Sequence, residues 1–350
     1  MSGDEPLARH SPYSRVHSGK ARMSPKSILI TGATGFVGRH LVERLLQSDA
    51  GLVLAVRDVD RCPPDWRSHK RIRFIAMKGA SWRQELRPAA GQRIGTIVHL
   101  AGLAHVREGE QSVAQALEQS NVGFTHELVT AALDAGIQSF VHMSSIAAVA
   151  PNSTPLVISD GAEGLPDTFY GKTKRAAEAE VRRIAEAGGF AISLRPPLVV
   201  GADARGNWAL LQKLAATGLP LPFASVHNRR SFIGIRSLAE IIASLSRATP
   251  RAGLSGAYCV AHPDRLSLRE VVRLLRSGME KPARLFPFPP VLLRLTGSAA
   301  GRGRLFAELT GDLRIDATRF FETFPRCNPG LIREEIEEAG YEFIARRGRS

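Results

Sequence analysis

The chain has 350 residues, 44% of them hydrophobic, enough to bury a core in one large or two small domains. Its net charge of +14 is spread along the sequence with only 6% aromatic residues and no nucleic-acid motif, which excludes an RNA or DNA binder and leaves a basic solvated surface that attracts a diphosphate substrate or an anionic membrane. Three scattered cysteines, Cys62, Cys259 and Cys327, form neither a disulfide framework nor a metal-ligand spacing; no metal is expected, and a reducing, cytoplasmic location fits.

Residues 1–25 hold His, Arg, Ser and Pro without an apolar core run. They read as a disordered tail and not a secretory signal, with Met23 an alternative start. No apolar run approaches the roughly 18 residues of a membrane-spanning helix. From residue 26 to 195, apolar strands at Ser27–Thr31, Leu52–Arg57, Ile72–Ala76, Thr96–Ala101, Phe140–Ser144 and Ala191–Arg195 alternate with helices. The helices fall near Phe36–Gln47, Glu110–Asn121, Thr125–Ala135 and Tyr170–Ala187. This alternation predicts an α/β, Rossmann-type, doubly wound parallel sheet. The polar stretch Pro151–Thr168 is expected to be a loop over the site. Beyond Pro196, helical patterns near Trp208–Thr217, Leu238–Ser246, Leu266–Ser277 and Leu331–Ala339 are separated by proline-rich turns. They predict a smaller C-terminal substrate lobe over 196–345, interleaved with the first domain near 232–245, and a solvated basic tail at 346–350.

Three motifs carry chemistry. The first strand breaks into Gly32, Gly35 and Gly38 and enters a helix at Phe36 and Val37. Gly32 permits a tight turn, Gly35 lets the backbone approach phosphate oxygens, and Gly38 lets the helix pack close to the strand. The free N–H groups of that helix end then face a pyrophosphate. Tyr170 and Lys174 share one helix face, so phenol and ammonium can enter one cleft. A cation beside the phenol lowers its pKa from about 10 and makes it a base near neutrality. Ser145, in the hydroxyl pair that ends the Phe140–Ser144 strand, is placed to hydrogen-bond the reacting oxygen.

With TGATGFVG, IVHLAG (Ile97 to Gly102), Asn121-Val122, HMSSIAAV, YGKTK, LRPPLVVG, RGN (Arg205 to Asn207) and NRRSFIGIRSLAEII in this order, the chain resembles the extended short-chain dehydrogenase/reductase family from Ser27 to Phe343. Within it the nearest group is the nucleotide-sugar 4-epimerases and 4-reductases of bacterial surface-polysaccharide synthesis. The resemblance implies a bound NAD or NADP, a UDP-linked hexose or N-acetylhexosamine, and Ser145, Tyr170 and Lys174 as catalytic residues. It places Leu100, Ala101 and Gly102 beneath the cofactor, and Asn121 at a helix distortion beside Lys174. It assigns Asn207 and Arg230 to the nucleotide diphosphate. Arg57 stands where NAD-preferring relatives carry an acidic residue. It suits either a 2′-phosphate, hence NADP, or stacking on adenine, which leaves NAD acceptable. His99 and His105 read as core or rim residues. Ile146-Ala147 after Ser145 replaces the carboxylate pair of dehydratases, so 4,6-dehydration is not expected. Epimerase is favoured over one-way 4-keto reductase, a non-catalytic NAD(P)-binding scaffold is the reading from another class, and a homodimer stays open.

Overall fold

The computed structural model describes residues 26–79, 81–87, 93–104, 111–162, 166–248, 251–299 and 303–347; the expected tail at 1–25 and His105 lie outside them. The strands, in chain order, are β1 (Ser27–Thr31), β2 (Leu52–Val56), β3 (Ile72–Ala76), β4 (Ile94–His99), β5 (Ser139–Met143), β6 (Val157–Ile158), β7 (Phe190–Arg195), β8 (Leu198–Val200), β9 (Arg230–Gly234), β10 (Gly256–Cys259), β11 (Arg265–Leu266) and β12 (Arg314–Ile315). The α-helices are α1 (Phe36–Leu46), α2 (Pro64–Arg67), α3 (Gln111–Glu118), α4 (Phe124–Asp134), α5 (Phe169–Glu186), α6 (Asn207–Ala216), α7 (Ile235–Arg247), α8 (Leu268–Gly278), α9 (Pro290–Ala299), α10 (Gly303–Thr310), α11 (Thr318–Thr323) and α12 (Ile332–Arg347).

Seven strands form the central sheet in the order β10-β7-β5-β4-β1-β2-β3, every pair parallel. Strands such as β1, β2 and β7 are buried at every residue because helices cover both faces, which is why they read as unbroken apolar runs. On one face Leu41, Val42 and Leu45 of α1 meet Leu238, Ile241 and Ile242 of α7. On the other, Leu128 and Val129 of α4 pack with Val181 and Ile184 of α5. The chain order reverses between β1 and β4, so the crevice beyond their carboxyl ends is the natural ligand position.

The seventh strand comes from the C-terminal part of the chain. Gly256 to Cys259 pair with Ile192 to Arg195 at the sheet edge, and Phe320 and Phe324 close over Tyr258. The return to the first domain therefore extends past 232–245, through β10 and α11. Gly-Ala-Tyr-Cys is too short and too poor in β-branched residues to announce a strand. The second lobe has a three-stranded sheet, β11-β9-β8, and a core where Trp208 and Leu211 of α6 meet Val272 and Leu275 of α8 and Ile336 of α12. Two further expectations need correction. Within Pro151–Thr168, Val157 and Ile158 pair with Arg314 and Ile315, which anchors that stretch to the second lobe. Residues 346 and 347, expected to open a solvated basic tail, belong to α12, where Arg346 pairs with Asp203 and Glu342; residues 348–350 lie outside the described residues.

His99 and His142 are register partners on β4 and β5, with rings stacked 5.6 Å apart. Both are core residues, 1% exposed. The nitrogens of His99 are engaged by the hydroxyls of Thr31 (2.7 Å) and Thr125 (2.9 Å). Burial, helped by the charge of Lys174, pushes the His99 pKa down to about 3. The unfolded chain binds a proton on this ring below about pH 6.5 and the folded chain does not, so stability falls as pH drops from about 6.5 towards 3. Denaturant titrations at pH 7 and pH 4.5 test this. His99→Gln should show a shallower acid loss than the wild type, and equal acid losses would contradict the assignment.

Candidate active site

The turn after β1 holds Gly32 at φ +71°, where a Cβ would stand 2.6 Å from the Ala101 nitrogen and 2.8 Å from the Leu100 carbonyl carbon. The ends of β1 and β4 are thus in backbone contact, and Thr31 ties them further: its Oγ1 accepts from the Ala101 N–H (3.2 Å) and its carbonyl from the Leu100 N–H (3.2 Å). A Cβ on Gly38 would lie 2.2 Å from the Gly32 oxygen, so only glycine lets α1 approach this closely. Gly35 caps α1 in an extended conformation and no side chain satisfies the first turn. The N–H groups opening at Phe36 and Val37 therefore face the crevice without intrahelical partners. This cradle, which side chains would fill, fits a dinucleotide pyrophosphate. Arg57 is exposed immediately after β2, while the neighbouring Asp58 carboxylate is held by the Asp60 N–H (3.0 Å) and by Arg61 (3.5 Å).

Ser145 follows β5 and caps a short 3-10 turn, its Oγ accepting from the Ala147 N–H at 3.2 Å. Helix α5 starts opposite, capped by Thr168, whose Oγ1 accepts from the Gly171 N–H at 2.9 Å. A Cβ on Gly171 would come within 2.1 Å of the Ala147 oxygen, so that glycine lets the helix touch the serine loop. The contact brings the Tyr170 phenol next to the Ser145 side chain, which acts to lower its pKa. One turn on, the buried Lys174 donates from Nζ to the Met143 carbonyl at 2.7 Å. Its Nζ lies 3.3 Å from where a Gly102 Cβ would stand, directly beneath the end of β4.

Asn121 lies in a π-helical turn, Gln119–Gly123, that interrupts the run from α3 to α4. Its Oδ1 accepts from the Leu103 N–H (2.7 Å), and its Nδ2 donates to the Leu103 carbonyl (3.0 Å) and to Thr173 Oγ1 (3.0 Å). The distorted turn thereby joins the loop after β4 to α5 beside Lys174.

The electrostatics reverse one expectation. Burial raises the Tyr170 pKa, and the Ser145 side chain opposes that only in part; Lys174 does not make the phenol acidic in this arrangement. Burial also brings Lys174 down to about 8, against the pull of the Glu178 carboxylate. Glu178 is a residue that motif reading missed. It is buried, receives Arg195 Nε at 2.8 Å and Nη2 at 2.6 Å, and accepts the Ser144 hydroxyl. Its signal was the stride 170, 174, 178 along one helix face.

Asn207 and Arg230 are brought together in the second lobe, on a partner the motifs did not reveal. Asn207 Nδ2 donates to Glu308 Oε2 at 2.8 Å. Arg230 donates to the carbonyls of Glu308 (2.5 Å), Asn152 (2.9 Å) and Gly311 (3.0 Å), and burial lowers its pKa to about 10. Among the described residues no cluster of His, Cys, Asp and Glu could hold a metal ion, and no helix is long and apolar enough to cross a membrane.

Residues 28–260 match the model of the NAD dependent epimerase/dehydratase family. A UDP-glucose 4-epimerase of Vibrio cholerae is 30% identical over 335 residues, covering 94% of this chain and 98% of that protein. The crystal structure of a putative epimerase from Burkholderia cenocepacia J2315 superposes with a TM-score of 0.70 at 19% identity, over 91% of this chain and 98% of that one. That of a UDP-glucuronic acid 4-epimerase from Bacillus cereus in complex with NAD gives 0.69 at 18% identity, over 91% and 99%. With a glycine-cradled crevice at the sheet's switch point and a Ser-Tyr-Lys set beside it, the chain belongs to the NAD-dependent epimerase/dehydratase family, in the extended short-chain dehydrogenase/reductase group.

Proposed function

We propose that the protein inverts C4 of a UDP-linked hexose or N-acetylhexosamine through a transient 4-keto sugar, in the synthesis of a surface polysaccharide. The observation that carries this is the close packing of the Tyr170 helix against the Ser145 turn at Gly171 and Ala147, with the buried Lys174 one helical turn on, beside Gly102 at the end of β4. In this reading Gly32, Gly35, Phe36, Val37 and Gly38 hold the pyrophosphate of the cofactor. Leu100, Ala101 and Gly102 lie beneath its ribose, and Asn121 keeps that backbone in place. Lys174 binds the ribose hydroxyls, and Arg57 meets the adenosine end. The nicotinamide, when bound, accepts a hydride from carbon and can return it.

Tyr170 takes the proton from the C4 hydroxyl and later gives it back, while Ser145 holds the sugar oxygen in line with the phenol. Because burial keeps the proton on Tyr170, its deprotonation is favoured only with positive charge beyond that of Lys174, which an oxidised nicotinamide would add. Ile146 and Ala147 follow Ser145 as buried apolar residues, so that turn offers no acid–base pair for dehydration. Glu178 and Arg195 do not reach the sugar in this scheme; they brace the helix that carries Tyr170 and Lys174.

Tyr170→Phe keeps the packing ring and loses the proton acceptor. Turnover should fall by about 10²–10⁴-fold with nucleotide binding retained. A variant holding more than a tenth of wild-type chemistry would remove Tyr170 from the role and leave a non-catalytic scaffold as the better reading.

Incubation with a C4-deuterated UDP-sugar and no added cofactor should give the C4-inverted sugar with the label kept at C4. No inversion, together with NAD(P)H oxidation driven by a 4-keto-6-deoxy sugar, would establish one-way 4-keto reduction instead.

Arg57→Ala separates the two readings of the adenosine end. If Arg57 pairs with a 2′-phosphate, NADP(H) affinity drops by roughly 1.5–3 kcal/mol, the range for a hydrogen bond to a charged group, and NAD(H) affinity stays. Equal losses for both cofactors point to stacking on adenine.

A further inference from the structure

Asn207 and Asn152 converge on a single acidic side chain, Glu308 of α10, while Arg230 holds that residue's backbone carbonyl. One carboxylate oxygen of Glu308 accepts from Asn207 Nδ2 at 2.8 Å and the other from Asn152 Nδ2 at 3.1 Å. Asn207 is the first residue of α6, whose cap, Gly206, provides no side-chain oxygen for the free N–H groups of the first turn. Arg230 lies against the same helix, donating to the Glu308 carbonyl at 2.5 Å, and the Glu308 charge favours its cationic form. Two amides and an uncapped helix start, with the Arg230 guanidinium on the backbone beside them, make a receptor for an anion, and a carboxylate of the chain's own is held by the amides.

We propose that Glu308 is an internal stand-in for the substrate's diphosphate and thereby a specificity-determining residue: it holds the Asn152–Asn207 amide cradle beside Arg230 until a ligand carrying a diphosphate displaces it. The inference rests on the nucleotide-sugar reading above and deepens it. Part-buried amide donors left unpaired are costly, and the Glu308 carboxylate offsets that cost while no ligand does. A diphosphate brings more negative charge and more acceptor oxygens than one carboxylate, so it can take over every donor in the cradle. A neutral nucleoside or free sugar cannot, and meets a carboxylate where it offers no compensating charge. Selection for the diphosphate thus costs some affinity, because each binding event must first displace Glu308. The backbone bond from Arg230 to the Glu308 carbonyl does not involve the side chain, so the guanidinium keeps its position when that side chain is changed.

Calorimetric titration of UDP and of uridine into wild-type protein, Glu308→Gln and Glu308→Ala tests this, with thermal melts to confirm folding. Removing the charge should tighten UDP by about tenfold, within the usual range of coupling between two sites. Uridine affinity should stay unchanged, and the KM of the UDP-sugar should fall in parallel with the UDP dissociation constant. Glu308→Ala serves as the second variant should the glutamine restore too much of the amide contact or lower the melting temperature. Unchanged or weaker UDP binding in both folded variants overturns the proposal and leaves the nucleotide-sugar reading standing. Equal tightening of UDP and uridine also overturns it, since that means a loosened lobe and not a displaced charge. Wild-type protein that binds no UDP at all overturns both readings.

Discussion

The arrangement of Ser145, Tyr170 and Lys174 depends on one buried ion pair, Glu178 with Arg195. Both side chains are nearly inaccessible, at 7% and 8% exposure, and the two-pronged contact spans from α5 to the end of β7. Such a pair adds little net stability, because desolvation consumes most of the Coulombic gain; removing one partner, however, strands a buried charge at about 3–5 kcal/mol. Its value here is geometric. Glu178 also accepts the Ser144 hydroxyl, so the same carboxylate fixes α5 relative to the strand end that leads into Ser145. Arg195 adds a bond to the Asp160 carbonyl (3.0 Å), and the Asp160 carboxylate holds Arg319 (3.2 Å) and the Cys259 N–H. The network thus reaches β10 and the start of α11. Lys174, one turn from Glu178, has its charge supported by the same group.

A second constraint acts at the switch point of the sheet. Gly32 brings the first turn against Ala101, and Asn121 fastens Leu103 to Thr173, so cofactor cradle and catalytic helix share one rigid support. Asparagine is a poor residue inside a helix because its amide competes for backbone groups. Here that tendency is used: the extra residue of the π turn directs the amide outward to the Leu103 backbone, and Thr125 Oγ1 donates to the Asn121 carbonyl at 2.6 Å. Short π segments of this kind concentrate at functional sites.

What could be read from the sequence was what is local. β1 and β3 have the expected ends, and the first six strands of the central sheet were all expected, because each is a short, largely apolar run ended by a turn. The glycines at 32, 35 and 38 and the Tyr170–Lys174 stride are fixed spacings within one element. The features that escaped are long-range. Glu178 meets Arg195 from a different element, and Glu308 meets Asn207 from 101 residues away. β10 has meaning only as an addition to β7. The Tyr170 shift was misjudged for the same reason. The stride shows a cation near the phenol, but the depth of burial and the commitment of Lys174 Nζ to the Met143 carbonyl are properties of the folded chain.

The net charge of +14 bears on encounter more than on grip. In the proposed reading the groups that would meet anions are largely uncharged: the first turn of α1 behind Gly35 in one lobe, and the first turn of α6 with the Asn152 and Asn207 amides in the other. Backbone N–H groups and amides are fixed in direction and do not need to be neutralised when a ligand is absent. Arg230 is the exception, and its guanidinium is held by the backbone carbonyls of Asn152, Glu308 and Gly311. Surface arginines supply a long-range field that raises the arrival rate of a diphosphate and fades beyond about 8 Å at physiological salt. Recognition then falls to the preorganised donors at the two helix starts, where desolvation makes each hydrogen bond count and salt has little access.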